Sequence, residues 1–159
     1  MPYAFKRFAD ISLKLYGYLG LIALAGVVIT TFLQVVTRFF PIVTLTWTEE
    51  AARYCFIWMS MMGAPLAARH CSNAAVDLLD TLIDSPGMKE IYFVVVHALI
   101  LIAVFLILPK SIYMVQTMTM RNSSALGIPM SYIYLSIPIG CIGIIIQDTY
   151  NILAKVAKE

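Results

Sequence analysis

Four stretches of the chain contain no Asp, Glu, Lys or Arg: Leu15–Thr37 with 23 residues, Tyr54–Ala68 with 15, Ile91–Pro109 with 19 and Asn122–Gln147 with 26. A helix rises about 1.5 Å per residue and needs about 20 mainly apolar residues to cross a hydrocarbon core of about 30 Å. Three runs meet that length directly. The second, at about 22 Å, does not. It spans only if it extends back through Arg53, Glu50 and Glu49 to Trp47, which puts three charged side chains at or just inside one membrane face. The only other lipid-compatible backbone, a closed β-barrel, shows short segments of alternating polarity. Runs such as Phe93-Val94-Val95-Val96 and Ile142-Gly143-Ile144-Ile145-Ile146 do not alternate. The pattern predicts an all-α integral membrane protein, one membrane domain over 1–159, with four transmembrane helices. The spans are approximately 15–40, 47–69, 90–109 with an extension to 120, and 129–153. The first run exceeds the apolar region of a signal peptide, about 7–15 residues, and reads as a retained helix.

The punctuation refines this picture. Pro41 stops the first span, and Thr46-Trp47-Thr48-Glu49 fits a capping box for the second, so these two form an antiparallel hairpin. From Ser72 to Asp84, Asp77, Asp80 and Asp84 are interleaved with Val76, Leu79, Leu82 and Ile83 at helical spacing. This predicts a short amphipathic helix on the cytoplasmic side, between spans two and three. Ser85-Pro86-Gly87 ends it. Beyond Pro109, Ile112, Val115 and Met118 share a face, so the third helix continues or bends there. Tyr132 and Tyr134 suit the headgroup level where the fourth span re-enters. With four spans both termini lie on one side. Lys6, Arg7, Lys14, Arg69, Lys89, Lys155 and Lys158 fall on that side, against Arg38, Arg53, Lys110 and Arg121 on the other, so the positive-inside rule predicts N-in/C-in.

Composition agrees. The chain is 61% apolar and 13% charged, against about 45–50% and 25% in soluble domains. Twenty charged residues cannot hydrate a globular surface, and a net charge of +2 offers no nucleic-acid footprint. Cys55, Cys71 and Cys141 form no C-x-x-C pair and read as small apolar packing residues. His70 and His97 both lie toward the cytoplasm. A bis-histidine haem site is conceivable, but a donor to terminal helix carbonyls explains His70 more simply. Two histidines are too few for zinc. No nucleophile–base pair, phosphate loop or mid-membrane carboxylate pair is present, so no catalytic or metal-binding residues are assigned and the chain is not expected to be an enzyme.

The one charged constellation is Arg38, Glu49, Glu50 and Arg53. Glu49 and Glu50 stand at i−4 and i−3 from Arg53, Arg38 ends the first span on the same face, and Gln34 lies one turn deeper. The cluster either locks the hairpin or reaches a partner protein. Gly63-Ala64-Pro65 lies toward the far end of the second span. Its small residues permit close backbone approach, and Pro65 leaves the Met61 carbonyl without its helical donor.

Several stretches, in this order, resemble the small membrane subunit of TRAP transporters, the DctQ-like family. They are Phe32-Leu33-Gln34-Val35-Val36-Thr37-Arg38-Phe39; Trp47-Thr48-Glu49-Glu50-Ala51-Ala52-Arg53-Tyr54 with Trp58 and Gly63-Ala64; Arg69-His70 with Ala75-Val76-Asp77; and Ser124-Ala125-Leu126-Gly127-Ile128-Pro129-Met130 with Tyr134-Leu135-Ser136-Ile137-Pro138-Ile139-Gly140. The resemblance covers about Leu15 to Leu153, and Cys71-Ser72-Asn73-Ala74 departs from the family's usual pattern. The resemblance implies a subunit of the bacterial inner membrane, multi-pass, that binds no cofactor itself. Its partners would be membrane lipids, a large multi-helix subunit that carries substrate and sodium by an elevator-type motion, and a periplasmic binding protein that delivers an organic acid. The small subunit would be a non-catalytic scaffold, with Gln34, Trp47, Trp58, Gly63, Pro65, Pro129 and Pro138 as helix-packing or interface positions. The rivals are an electron-transfer anchor with haem on His70 and His97, and a stand-alone small exporter using Glu49 or Glu50.

Overall fold

The computed structural model describes residues 3–39, 46–70 and 86–156. Its described elements are helices α1 (Tyr3–Phe39), α2 (Thr46–His70) and α3 (Pro86–Thr117), a 3₁₀ turn (Met118–Met120), a short helix α4 (Ser131–Tyr134) and α5 (Ser136–Val156). Pro41 and the predicted amphipathic helix at Ser72–Asp84 lie outside the described residues.

Three helical stretches, Phe5–Phe39, Ile91–Met120 and Ser131–Ala154, are long and apolar enough to cross a membrane. The family of solvents this implies is lipid: Ile22, Ile29, Phe32, Phe105 and Leu106 are all more than 60% exposed, which is ordinary in hydrocarbon and abnormal in water. Helix α2 has the length, 25 residues, but carries Glu49, Glu50, Arg53 and Arg69 and does not join that set. Packing explains how so polar a helix is housed. It lies between α1, its most extensive neighbour, and α5.

Helix α1 is longer than the charge-free run, because the sequence before Leu15 has no Pro or Gly after Pro2 to interrupt it. Its 37 residues give about 55 Å, so the first three turns overhang the apolar core. Helix α3 runs through Pro109 to Thr117. Near the start of α5 a proline does break the ladder. Pro138 has no N–H for the Tyr134 carbonyl, and the helix is interrupted at Leu135 before resuming at Ser136.

Helix α5 is the hub, touching α1, α2 and α3, whereas α3 makes no comparably extensive contact with α1 or α2. Two glycines let α5 approach. A Cβ added to Gly140 would lie 2.8 Å from the Met61 carbonyl oxygen, the one that Pro65 leaves undonated. At Gly143 it would lie 2.5 Å from Pro65 Cγ and 2.6 Å from Tyr16 Cζ. The Tyr16 hydroxyl donates to the Ile139 carbonyl at 2.7 Å and ties α1 to α5. Cys141 is buried in this region, and Cys55 and Cys141 are free thiols.

Candidate functional site

Polar side chains gather at the two ends of the bundle. At the end shared by the start of α1 and the end of α5, Arg69 is the organising group. It stands in the last turn of α2, where a cation also complements the helix dipole. Its Nη2 donates to Asp10 Oδ1 on α1, its Nη1 to Gln147 Oε1 on α5 at 3.1 Å, and its guanidinium carbon lies 3.4 Å from the centroid of the Tyr150 ring. The planar, multi-donor guanidinium suits this three-way role better than an ammonium would. Gln147, fully buried, turns its amide to α1, donating to the Ala9 carbonyl at 3.0 Å and to Ser12 Oγ at 2.9 Å. One turn on, Asn151 Nδ2 donates to the Ala68 carbonyl at 2.6 Å. Three helices are thus cross-linked through one residue layer.

On the opposite face of α5, Asp148 meets α3. Its Oδ1 lies 2.5 Å from His97 Nδ1; His97 is 5% exposed and Asp148 not at all. The Phe93 ring packs on the imidazole with centroids 4.0 Å apart. The two atoms share one hydrogen bond, and the tautomer of His97 sets which of them donates. Among the described residues Asp148 Oδ2 has no hydrogen-bond partner, so the bond to His97 is what offsets the burial of this carboxyl.

At the other end, the 121–130 loop folds back on itself. Ser123 N–H donates to the Ile128 carbonyl and Met130 N–H to the Arg121 carbonyl, at 2.9 and 2.8 Å, and Asn122 and Pro129 form an antiparallel bridge. Gly127 takes φ +69°, a conformation that disfavours side chains. Glu50 reaches into this loop from α2. Its carboxylate accepts from Ser123 Oγ, from Ser124 Oγ at 2.6 Å, and from the backbone N–H groups of Ala125 and Leu126 at 3.1 and 3.3 Å. Four donors converge on one group, which suits the ionised carboxylate.

The charge constellation read from sequence is therefore divided. Glu49 and Arg53 pair at 3.1 Å, both more than 60% exposed. Glu50 turns instead to the loop, where four donors meet its carboxylate. Arg38 lines a polar cleft with Gln34, Thr37, Thr46, Thr48 and Glu49. Trp47 is partly exposed at the same end and Trp58 half-buried. Pro65 and Pro138 are buried, Pro65 against Gly143. Pro129 holds the loop closure, its carbonyl accepting from Tyr132 N–H at 3.2 Å. Gly63 faces an open apolar groove, with nothing among the described residues within 4 Å of an added Cβ.

His70 is exposed at the end of α2, while His97 is engaged on α3, a helix without extensive contact to α2. Among the described residues no three His, Cys, Asp or Glu side chains come together as a metal ion would require. Sequence reading missed Asp10, Gln147, Asp148, Asn151 and Tyr150. The available signal was the spacing of Gln147, Asp148 and Asn151, all in the last turns of a span, facing Asp10 and Arg69 from the same membrane side.

A family model described as tripartite ATP-independent periplasmic transporters, DctQ component, matches residues 27–158. A Haemophilus influenzae protein named "Putative TRAP transporter small permease protein" is 25% identical over 138 residues, 87% of this chain and 83% of that protein. The "Isethionate TRAP transporter permease protein DctMQ" of Oleidesulfovibrio alaskensis is 31% identical over 96 residues, 58% of this chain and 15% of that much longer one. The matched region takes in Glu50, Arg69, His97, Gln147 and Asp148, with the helices that carry them. The chain belongs to the DctQ family, the small membrane component of TRAP transporters.

Proposed function

We propose that this subunit is a non-catalytic scaffold of a sodium-driven, binding-protein-dependent transporter. It would hold one wall of a large elevator-type permease still while that partner moves an organic acid and uses the sodium gradient. The observation that carries this reading is the bonding of the buried ionisable side chains. Arg69 joins α2 to α1 and α5, and His97 with Asp148 joins α3 to α5. Such groups inside a membrane protein are functional by default, and here their function is to join helices into one block. The DctMQ relative adds support: a DctQ-like stretch occupies a small part of a longer permease chain, which suits a physical union of small and large subunits. In this reading α2 is the fourth span, enclosed by α1 and α5, and both termini face the cytoplasm of a cell with this multi-pass chain in its inner membrane. A separate periplasmic protein would supply substrate.

Neither rival gains an observation. Glu49 and Glu50, the acids an exporter would use, are bound to Arg53 and to the 121–130 loop. The test is co-expression with the neighbouring large permease and purification through a tag on this subunit. Recovery of a stoichiometric complex whose uptake needs both chains is expected. A small subunit that alone catalyses uptake in proteoliposomes would overturn the scaffold reading.

A further inference from the structure

The first three turns of α1 carry a feature that neither the bundle's packing nor the scaffold reading uses. Lys6, Arg7, Asp10, Ile11 and Lys14 stand at i, i+1, i+4, i+5 and i+8, one face of the helix, and together line a cleft. The acid on this face is already engaged, because Asp10 accepts from Arg69. Lys6, Arg7 and Lys14 are exposed, and among the described residues no carboxylate forms a salt bridge with them. Ala9 and Tyr16, on the opposite side, are buried against the bundle, so the rotation of α1 is fixed and the basic face is turned outward.

The depth of these residues is also fixed. The charge-free run begins at Leu15, so Lys14 stands at the edge of the hydrocarbon. Lys6 lies eight residues back, about 12 Å along the axis. The headgroup zone on each side of a bilayer is about 5–8 Å thick, and flexible basic side chains reach into it from either edge. Between the cations, Phe8 and Ile11 are 56% and 58% exposed, and Leu15 follows at 58%. Apolar side chains alternating with exposed cations at this depth fit a phospholipid, with acyl chain beside Ile11 and Leu15 and phosphate among the cations. The cations of the far end, Arg38, Lys110 and Arg121, belong to separate segments and form no such face.

We infer that Lys6, Arg7 and Lys14 form a binding site for the headgroup of an anionic phospholipid in the leaflet at the α1 N-terminal end. The site requires that α1 spans the membrane and is independent of what the subunit scaffolds.

The full chain, or its complex with the large subunit, is reconstituted into nanodiscs of equal phosphatidylglycerol and phosphatidylcholine, and lipid retained on detergent extraction is counted by native mass spectrometry. Enrichment of phosphatidylglycerol is expected. The K6Q/R7Q/K14Q variant should lose about a hundredfold in apparent affinity, in line with the attraction of juxtamembrane basic residues to anionic surfaces. Lys110→Gln should leave the enrichment unchanged. Circular dichroism checks that the triple variant is folded, and Lys14→Arg, which keeps the charge, should retain binding if the triple variant fails to fold. Equal enrichment in wild type and folded triple variant would overturn the site. So would loss of enrichment in Lys14→Arg, or full competition by millimolar inorganic phosphate, which would show an unspecific anion patch. Uptake by the complex is a separate readout, so failure here leaves the scaffold reading standing.

Discussion

The two polar ends of the bundle use the same kinds of group for different purposes. At the terminal end, Gln147, His97 and Asp148 are buried, Arg69 is largely so, and all four connect helices directly. At the loop end, Glu50 connects a helix to a ten-residue turn through hydroxyls and backbone N–H groups, while Glu49 and Arg53 pair in the open. Buried charges removed from water are costly unless paired, and losing one partner strands the other. A half-exposed carboxylate that loses its loop can recruit water or headgroups. The terminal end should therefore set the global stability of the fold, and the loop end the local order of one segment.

Substitutions can sharpen or break this contrast. The largest effect is expected from His97→Leu, which leaves Asp148 buried without its hydrogen-bond partner, at a cost of about 3–5 kcal/mol; thermal unfolding in detergent measures it. H97L/D148L should recover much of that loss, since a buried pair replaced by apolar groups is often neutral. No recovery would mean that packing rather than charge dominates there. Next comes Gly143→Val, whose added atoms meet Pro65 and Tyr16 and should cost about 1–3 kcal/mol. Tyr16→Phe removes one interhelical hydrogen bond and should cost about 0.6 kcal/mol, the average for such bonds in membranes. Glu50→Gln should leave the unfolding temperature nearly unchanged while hydrogen exchange accelerates across residues 121–130. A global loss as large as that of His97→Leu would erase the proposed division between the ends. Arg53→Gln, at an exposed pair, should stay within about 0.5 kcal/mol.

What the sequence showed and what it concealed divide along the same line. Helical elements were legible because hydrophobic runs and proline positions are local signals. The continuation of α3 past Pro109 could be read from Ile112, Val115 and Met118 in this way. The Glu49–Arg53 pair is also local, at i, i+4. The interactions of Glu50 with Ser123 and Ser124 join positions more than seventy residues apart, and nothing in local spacing distinguishes Glu50 from Glu49 as the one that turns inward. The terminal layer was concealed differently. Arg69 and Asp148 bound the charge-free runs, so they served as markers of where spans end. Their burial follows only once α5 is known to pack against three helices, which depends on Gly140 and Gly143 meeting the Pro65 region of α2. Small residues at Gly63-Ala64 suggested close approach on α2 itself, whereas the tight contacts form at the glycines of α5.

The three-way engagement of Arg69 also carries a consequence in time. Its partners are 59 residues behind it, at Asp10, and 78 residues ahead, at Gln147. At roughly 5–20 residues per second, the ribosome needs roughly 4–16 s after Arg69 to make Gln147. During that interval Asp10 is the carboxylate already available to hold the arginine at the membrane edge. The α1–α2 hairpin can thus persist as an early intermediate in the translocation machinery, and the arrival of the last helix completes a joint whose first half was already made.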